Sequence, residues 1–188
     1  MRYFKSDNTA AVCPPVLAAL SAANDGASLP YGADSWSARL DAVLAEFFGT
    51  RVKAFTIVSG TAANSLALAT VCPPWGTVLT QCESHIERDE CGAPEFFTGG
   101  AKLSLMEGEQ AKVSVAAFGE RLAWFEDHVH GVQPKALSIT QATERGAVYT
   151  PAEVQALAEL AHARRMAVHM DGARFANAVV ALDCHPGD

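Results

Sequence analysis

The stretch Ala167-Val168-His169-Met170-Asp171-Gly172-Ala173-Arg174 joins a short apolar run to a helical sequence. The run 167–170 predicts a buried strand, and 175–182 predicts the helix that follows it. An Asp and an Arg beside a buried strand are costly to desolvate unless each has a partner. Asp171 and Arg174 therefore either pair with each other or hold a ligand, and this stretch alone leaves both possibilities open.

Strand and helix patterns alternate through the rest of the chain. Apolar, partly β-branched runs predict further strands at 54–58, 77–81, 102–106 and 136–140. Helical spacing of apolar residues predicts helices at 13–24, 35–48, 62–71, 118–127 and 151–164, the last opening with the capping box Thr150-Pro151-Ala152-Glu153. This alternation predicts an α/β fold of three layers (αβα), with a mainly parallel sheet covered on both faces.

Composition excludes several classes of protein. The 188 residues carry a formal net charge of −7, and no basic cluster is longer than Arg164-Arg165, which argues against a nucleic-acid partner. No apolar run approaches the roughly 20 residues of a membrane span, and the N-terminus is too polar for a signal peptide. The five cysteines form no Cys-x-x-Cys pair, which predicts reduced thiols, a cytoplasmic protein and no metal site.

Polar side chains follow four of the five predicted strands. Ligands of open parallel sheets bind beyond the carboxyl ends of the strands, so these groups are expected at one edge. The third strand is followed by Glu107-Gly108-Glu109, which carries no distinctive group. The four polar segments are Ser59-Gly60-Thr61, Glu83-Ser84-His85, Gln141-Ala142-Thr143-Glu144 and Asp171-Gly172-Ala173-Arg174.

The segment Ser59-Gly60-Thr61-Ala62-Ala63-Asn64 has the pattern of an anion site, because a glycine and free N–H groups at a helix start favour a phosphate. An ordinary strand-to-helix turn with Thr61 as the N-cap explains it equally well. His85, in a polar run, is either a solvated loop histidine or a functional one. His128 and His130 leave the same two possibilities open, whereas His169 is expected to be a core histidine.

Six segments of the chain together carry a family resemblance. They are Ser6-Asp7-Asn8-Thr9, Tyr31-Gly32-Ala33-Asp34, Ser59 to Asn64, His85 with Glu90-Cys91-Gly92-Ala93, Gln141 to Glu144, and His169 to Asn177. Their order resembles that of the L-threonine aldolases, in particular the low-specificity bacterial branch. These are pyridoxal-phosphate (PLP) enzymes of fold type I, the aspartate-aminotransferase type, and belong to the beta-eliminating lyases.

The resemblance implies how the cofactor is held. Ser59, Gly60 and Thr61 would bind the phosphate of pyridoxal 5'-phosphate. His85 would stack on the pyridine ring and take part in proton transfer. Asp171 would pair with the pyridine nitrogen and keep it protonated, which stabilises the cationic ring as an electron sink.

The resemblance also implies a substrate site and a reaction. Arg174 would bind near the cofactor and the substrate carboxylate, with Ser6 at that carboxylate and Tyr31 reaching a neighbouring subunit of a homodimer or homotetramer. His130 would be a second catalytic histidine near the substrate hydroxyl, beside His85. The reaction would be cleavage of L-threonine or L-allo-threonine to glycine and acetaldehyde.

The chain departs from the family pattern in one respect. The family's Schiff-base lysine follows a further strand beyond Arg174, whereas the lysines here are all upstream: Lys5, Lys53, Lys102, Lys112 and Lys135. We therefore expect an N-terminal segment (1–30) that contributes to the active site and a PLP-binding large domain (31–188) truncated before that lysine. The small C-terminal domain would be absent, and the chain alone would have little or no aldolase activity.

Two other functions remain open at this stage. The phosphate site and Asp171 would also serve another fold-type I PLP lyase or transferase acting on a β-hydroxy or related amino acid. The lack of a lysine after Asp171 would suit a non-catalytic PLP-domain fragment.

Overall fold

The computed structural model describes Ser6, residues 9–125 and residues 128–188. Two compact units form, one running up to Ala54 and one from Phe55 to Pro186. No helix in the described ranges is both long and apolar enough to cross a membrane. The sequence-based domain boundary at 30/31 stays a prediction.

The first unit contains α1 (Pro14–Ala23) and α2 (Ser35–Phe48), which confirms the two helices predicted there. Asp34 caps α2, because its Oδ1 accepts hydrogen bonds from the N–H groups of Trp36 and Ser37 at 2.9 and 2.8 Å. Gly49 ends the same helix in the left-handed conformation, at φ 64°.

The second unit alternates helices and strands as the sequence predicts. Its sheet has the order β2-β1-β3-β4, and every neighbouring pair is parallel. In chain order its elements are α3 (Gly60–Val71), β1 (Gly76–Gln81), α4 (His85–Arg88), α5 (Ala93–Phe97), β2 (Lys102–Met106), a 3₁₀ turn (Glu109–Ala111), α6 (Val115–Ala123), β3 (Gln133–Thr140), α7 (Pro151–Ala163), β4 (Ala167–Asp171) and α8 (Phe175–Leu182).

Two apolar cores lie on opposite faces of this sheet. Successive side chains of a strand point to opposite faces, so Val78 and Leu79 of β1 belong to different cores. One core packs α6 and α7 against the sheet through Phe118, Leu122 and Leu157, among others. The other packs α3 against it through Leu68. The predicted three-layer α/β fold with a parallel sheet is therefore confirmed.

The prediction of a strand at 54–58 is wrong. In the part of the chain that the structure describes, this segment pairs with no strand, and Val58 lies in a bend. Its apolar side chains lack cover, since Phe55 is 77% and Val58 is 100% exposed. An apolar β-branched run therefore does not form a strand here, because a strand needs a partner for its backbone groups.

The other differences concern the ends of helices and very short ones. α3 begins at Gly60 and its N-cap is Ser59, so the prediction of Thr61 as the cap is wrong. α6 spans 115–123 rather than 118–127, and residues 126–127 lie outside the described residues. α4 and α5 were not predicted, because four and five residues are too few to show a helical period.

Candidate active site

Asp171 is the last residue of β4, and both of its carboxylate oxygens accept hydrogen bonds. Oδ1 accepts from the backbone N–H of Ala173 at 3.0 Å, which shapes the turn after the strand. Oδ2 accepts from Nδ2 of Asn64 at 3.1 Å. Asn64 is buried one turn into α3, so a helix from one part of the chain fixes a carboxylate 107 residues away.

Glu90 connects this pair to His85. Its Oε1 accepts a second hydrogen bond from Nδ2 of Asn64 at 2.8 Å and lies 2.8 Å from Nδ1 of His85. The Glu90 side chain is fully buried, whereas that of His85 is 38% exposed. Oε2 of Glu90 is buried and has no hydrogen-bond partner among the described atoms. His85, Glu90, Asn64 and Asp171 therefore form one network, called here the edge network.

The charges of the edge network act on His85. Partial burial lowers the pKa of this histidine, but the hydrogen bond to Glu90 and the charge of Glu90 raise it, and the charges of Glu144 and Asp171 add to that effect. The net result is a pKa above the ordinary value for histidine. The ring is thus held beside three carboxylates and is partly open to solvent, which suits a group that exchanges protons.

Arg174 and Glu144 form an ion pair at the same edge, with Nη1 of Arg174 3.2 Å from Oε2 of Glu144. The Asp171 carboxylate already accepts from Asn64 and Ala173, so it does not depend on Arg174. Oε1 of Glu144 is buried and has no hydrogen-bond partner among the described atoms. The strand ends of β1, β3 and β4 therefore all contribute polar groups here, as the sequence predicts.

The start of α3 lies one turn before Asn64. Oγ of Ser59 accepts the N–H of Ala62 at 3.2 Å, which caps the helix. A Cβ built on Gly60 would meet nothing within 4 Å, so packing within the protein does not require a glycine there. Free space above free N–H groups at a helix start is the arrangement that accommodates an anion.

The edge network does not include three residues that were predicted for the substrate site. Ser6 and Tyr31 lie in the first unit, where the Ser6 carbonyl accepts from Oγ1 of Thr9 at 2.7 Å and the Tyr31 side chain is fully exposed. His130 is exposed in a turn, and its backbone N–H donates to Nδ1 of His128 at 3.1 Å. Their roles stay predictions.

His169 differs from His85 in its surroundings. It is half-buried within β4, and its Nδ1 lies 2.9 Å from Oγ of Ser138. Burial lowers the pKa of His169, and the charge of Asp171 offsets this only in part. His169 is half-buried and belongs to neither apolar core, so its interpretation as a core histidine stays a prediction.

The edge network also brings three metal-ligand types together. One ligand atom each of His85, Glu90 and Asp171 lies within 4.8 Å of the other two. The amide of Asn64 donates to both carboxylates, so their charges are stabilised by N–H groups without a cation. The prediction that this protein needs no metal is not tested by this geometry.

Asn64 and Glu90 were given no role from the sequence, although both lie within segments that carry the resemblance. Their importance depends on contacts between distant segments, which single-sequence patterns do not record. The sequence offers no further signal for either residue, and the structure adds that both side chains point inward. Both are buried, and buried polar side chains usually have a specific partner.

Comparison with known proteins agrees with this arrangement. The model of the beta-eliminating lyase family matches residues 3–188. The low specificity L-threonine aldolase of Pseudomonas aeruginosa is 41% identical over 185 residues, which are 98% of this chain and 53% of that protein. The chain thus spans about half the length of this relative.

Two solved structures relate the fold to known enzymes. The threonine aldolase of Leishmania major superimposes with a TM-score of 0.84 at 27% identity, over 91% of this chain and 49% of that one. A serine palmitoyltransferase of S. paucimobilis, solved with PLP and myriocin bound, has a TM-score of 0.59 at 19% identity, over 84% and 37%. The sheet, the family model and these relatives agree, and the chain belongs to the beta-eliminating lyase family, with the fold of the type I PLP enzymes.

Proposed function

We propose that this chain provides the PLP-binding part of an aldolase that cleaves L-threonine or L-allo-threonine into glycine and acetaldehyde. The observation that carries the proposal is the edge network of His85, Glu90, Asn64 and Asp171, in a chain of the beta-eliminating lyase family. The 41% identity to a low specificity L-threonine aldolase supports the choice of substrate.

The residues present fit pyridoxal phosphate. The open space at Gly60 and the N–H groups at the start of α3 suit its phosphate. The Asp171 carboxylate is an acceptor suited to a protonated pyridine nitrogen, and the half-exposed His85 ring offers a flat face to an aromatic ring. Ser59 and Thr61 flank Gly60 and would add hydroxyl groups to the phosphate site.

The chemistry divides between cofactor and protein. Bound pyridoxal phosphate supplies an electron sink for the bond that breaks. Asp171, held in place by Asn64 and the N–H of Ala173, would hold the pyridine nitrogen, and its carboxylate would stabilise a proton on that nitrogen. Arg174 would bind the substrate carboxylate, and Ser6 and Tyr31 stay proposed substrate-binding residues.

His85 is the group best suited to move the proton. Its Nδ1 is hydrogen-bonded to Glu90, so Nε2 is the nitrogen left to accept a proton. That proton would come from the β-hydroxyl of the substrate as the Cα–Cβ bond of the substrate breaks. His130 would assist at the same hydroxyl. A positioned base of this kind contributes about 10²–10⁴-fold to a rate.

The substrate assignment is tested with the protein that carries this chain, loaded with pyridoxal phosphate. L-threonine, L-allo-threonine, L-phenylserine and L-serine are supplied in parallel, and aldehyde and glycine are measured. We expect aldehyde and glycine in equal amounts from the first three substrates. Transfer of the amino group to an added keto acid, without aldehyde, would contradict the proposal and favour a transferase.

A further inference from the structure

Glu90 is a buried carboxylate that has no step of its own in the proposed reaction. It lies between α4 and α5 and never faces the solvent. The two residues after it are in the left-handed conformation, Cys91 at φ 52° and Gly92 at φ 74°, and Ala93 N–H donates to the Glu90 carbonyl at 2.9 Å. This tight turn fixes the backbone of Glu90 and directs its carboxylate inward.

A single oxygen of that carboxylate serves two partners. Oε1 of Glu90 accepts from Asn64 and contacts Nδ1 of His85, both at 2.8 Å. With Glu90 as a carboxylate, Oε1 only accepts hydrogen bonds, and Nδ1 of His85 then carries the hydrogen in that contact. In the neutral ring the lone pair then lies on Nε2.

We propose that Glu90 and Asn64 are positioning residues: Glu90 holds His85 as the Nδ1–H tautomer with Nε2 as the proton acceptor, and Asn64 ties Glu90 to Asp171. The base and the carboxylate that faces the cofactor are then oriented by one shared amide. The catalytic meaning of this arrangement rests on the proposed function. The tautomer itself is a property of the chain, whether or not a cofactor is bound.

The first test uses the unmodified protein. Nitrogen-15 NMR of the histidine rings, with the His85 signals assigned by a His85→Gln variant, reports which ring nitrogen carries the hydrogen at a pH above the pKa of His85. We expect Nδ1–H. A ring protonated on Nε2 would overturn the proposal, and this result requires no variant of Glu90 or Asn64 to fold.

The second test compares the pKa of His85 in two variants. The groups whose charges act on His85 are Glu90, Glu144 and Asp171. Glu90→Gln removes a negative charge beside the ring, so the pKa of His85 should fall. Asn64→Ala removes the N–H groups that stabilise two of these carboxylates, so the same pKa should rise. Opposite shifts are expected because the two changes act through charge; shifts of the same sign would contradict the proposal.

A matched control is Glu95→Gln, which also removes one carboxylate charge, on the neighbouring helix α5. It should leave the pKa of His85 unchanged.

In the loaded enzyme, Glu90→Gln should lower kcat by about 10²-fold with little change in KM, because a misplaced base affects the bond-breaking step. Equal loss in Glu90→Gln and Glu95→Gln would show that Glu90 is merely structural.

These outcomes separate the two proposals. If His85 is the Nδ1–H tautomer but the loaded protein cleaves no β-hydroxy amino acid, the positioning role stands and the proposed function fails. If threonine is cleaved while His85 is protonated on Nε2, the proposed function stands and the positioning role fails.

Discussion

Two buried polar clusters lie near the carboxyl end of the sheet, and they differ in how completely they are satisfied. In the first, called here the closed cluster, Gln141 and Tyr149 exchange two hydrogen bonds: Gln141 Nε2 donates to the Tyr149 carbonyl at 2.8 Å, and Tyr149 N–H donates to Gln141 Oε1 at 3.0 Å. The Tyr149 hydroxyl accepts from the N–H of Val113 at 2.6 Å, and burial raises the pKa of Tyr149 to about 12.

The edge network has the same kinds of groups but remains incomplete. Oε2 of Glu90 has no partner among the described atoms, and the His85 ring is partly open to solvent. The neighbouring Glu144, paired with Arg174, also has a buried oxygen without a partner among these atoms. Unsatisfied buried polar atoms in native proteins usually mark a functional site or an absent ligand. The comparison assigns the closed cluster to the stability of the fold and supports the binding role proposed for the edge network.

The largest effect is expected at Asp171. Asp171→Asn should reduce the cleavage rate of the loaded enzyme by about 10²–10³-fold, because it removes a fixed charge that stabilises the reacting system. The free energy of unfolding should also fall, by about 1–3 kcal/mol, because an amide has one acceptor oxygen and loses one of the two hydrogen bonds from Asn64 and Ala173. Asp25→Asn, an exposed substitution in the first unit, is the control. An unchanged rate in Asp171→Asn would place the reacting centre elsewhere.

Removing the Tyr149 hydroxyl should lower the stability of the protein without changing its affinity for the cofactor. Tyr149→Phe leaves the buried N–H of Val113 without an acceptor, which should lower the free energy of unfolding by about 1–3 kcal/mol. Chemical denaturation measures this loss, and Tyr31→Phe, at an exposed side chain, should show none. The affinity for pyridoxal phosphate should stay the same in the folded fraction. A variant that loses affinity but not stability would remove the distinction between the two clusters.

A smaller effect is expected at the helix start beside the closed cluster. Thr150 caps α7 and shares a reciprocal capping box with Glu153. Thr150→Ala should lower the free energy of unfolding by about 1 kcal/mol. Thr70→Ala, near the exposed end of α3, should cost less, because Oγ1 of Thr70 only bonds the carbonyl of Ala67 in its own helix. Equal losses in both variants would contradict the importance of the cap.

The smallest effect is a difference in pH dependence between two histidines. The pKa of His169 is lowered by burial, so the unfolded chain binds this proton more tightly and stability falls as the pH drops below about 6.5. The pKa of His85 is raised, so its contribution is present at low pH and is lost as the pH rises through its folded pKa. His169→Asn should flatten the acid side of the unfolding profile, and His85→Asn the other side. Identical profiles would contradict the two assignments.

The sequence predicts the sheet well because its strands are continuous apolar runs with helices between them. β1, β2, β3 and β4 all lie where the runs indicate. The error at 54–58 shows the limit of that signal, since strand formation also depends on a partner that composition does not reveal. The same limit applies to the site. The predicted strand ends pointed to Asp171 and His85, but Asn64 contacts Asp171 across 107 residues and Glu90 across 26 residues, and the sequence does not reveal such contacts.

The central claim is that this edge of the sheet holds pyridoxal phosphate. Its most direct test is to measure how a substitution at Gly60 changes the affinity for pyridoxal phosphate. A Cβ at Gly60 meets no protein atom within 4 Å, so Gly60→Val should leave the free energy of unfolding nearly unchanged while filling the space above the helix start. Equilibrium dialysis of the unmodified chain should show saturable binding of one pyridoxal phosphate, weakened at least about 10-fold by Gly60→Val, a loss of roughly 1.4 kcal/mol. Thr70→Val, toward the other end of α3, should bind normally. Absence of binding, or equal binding by all three proteins, would contradict the account.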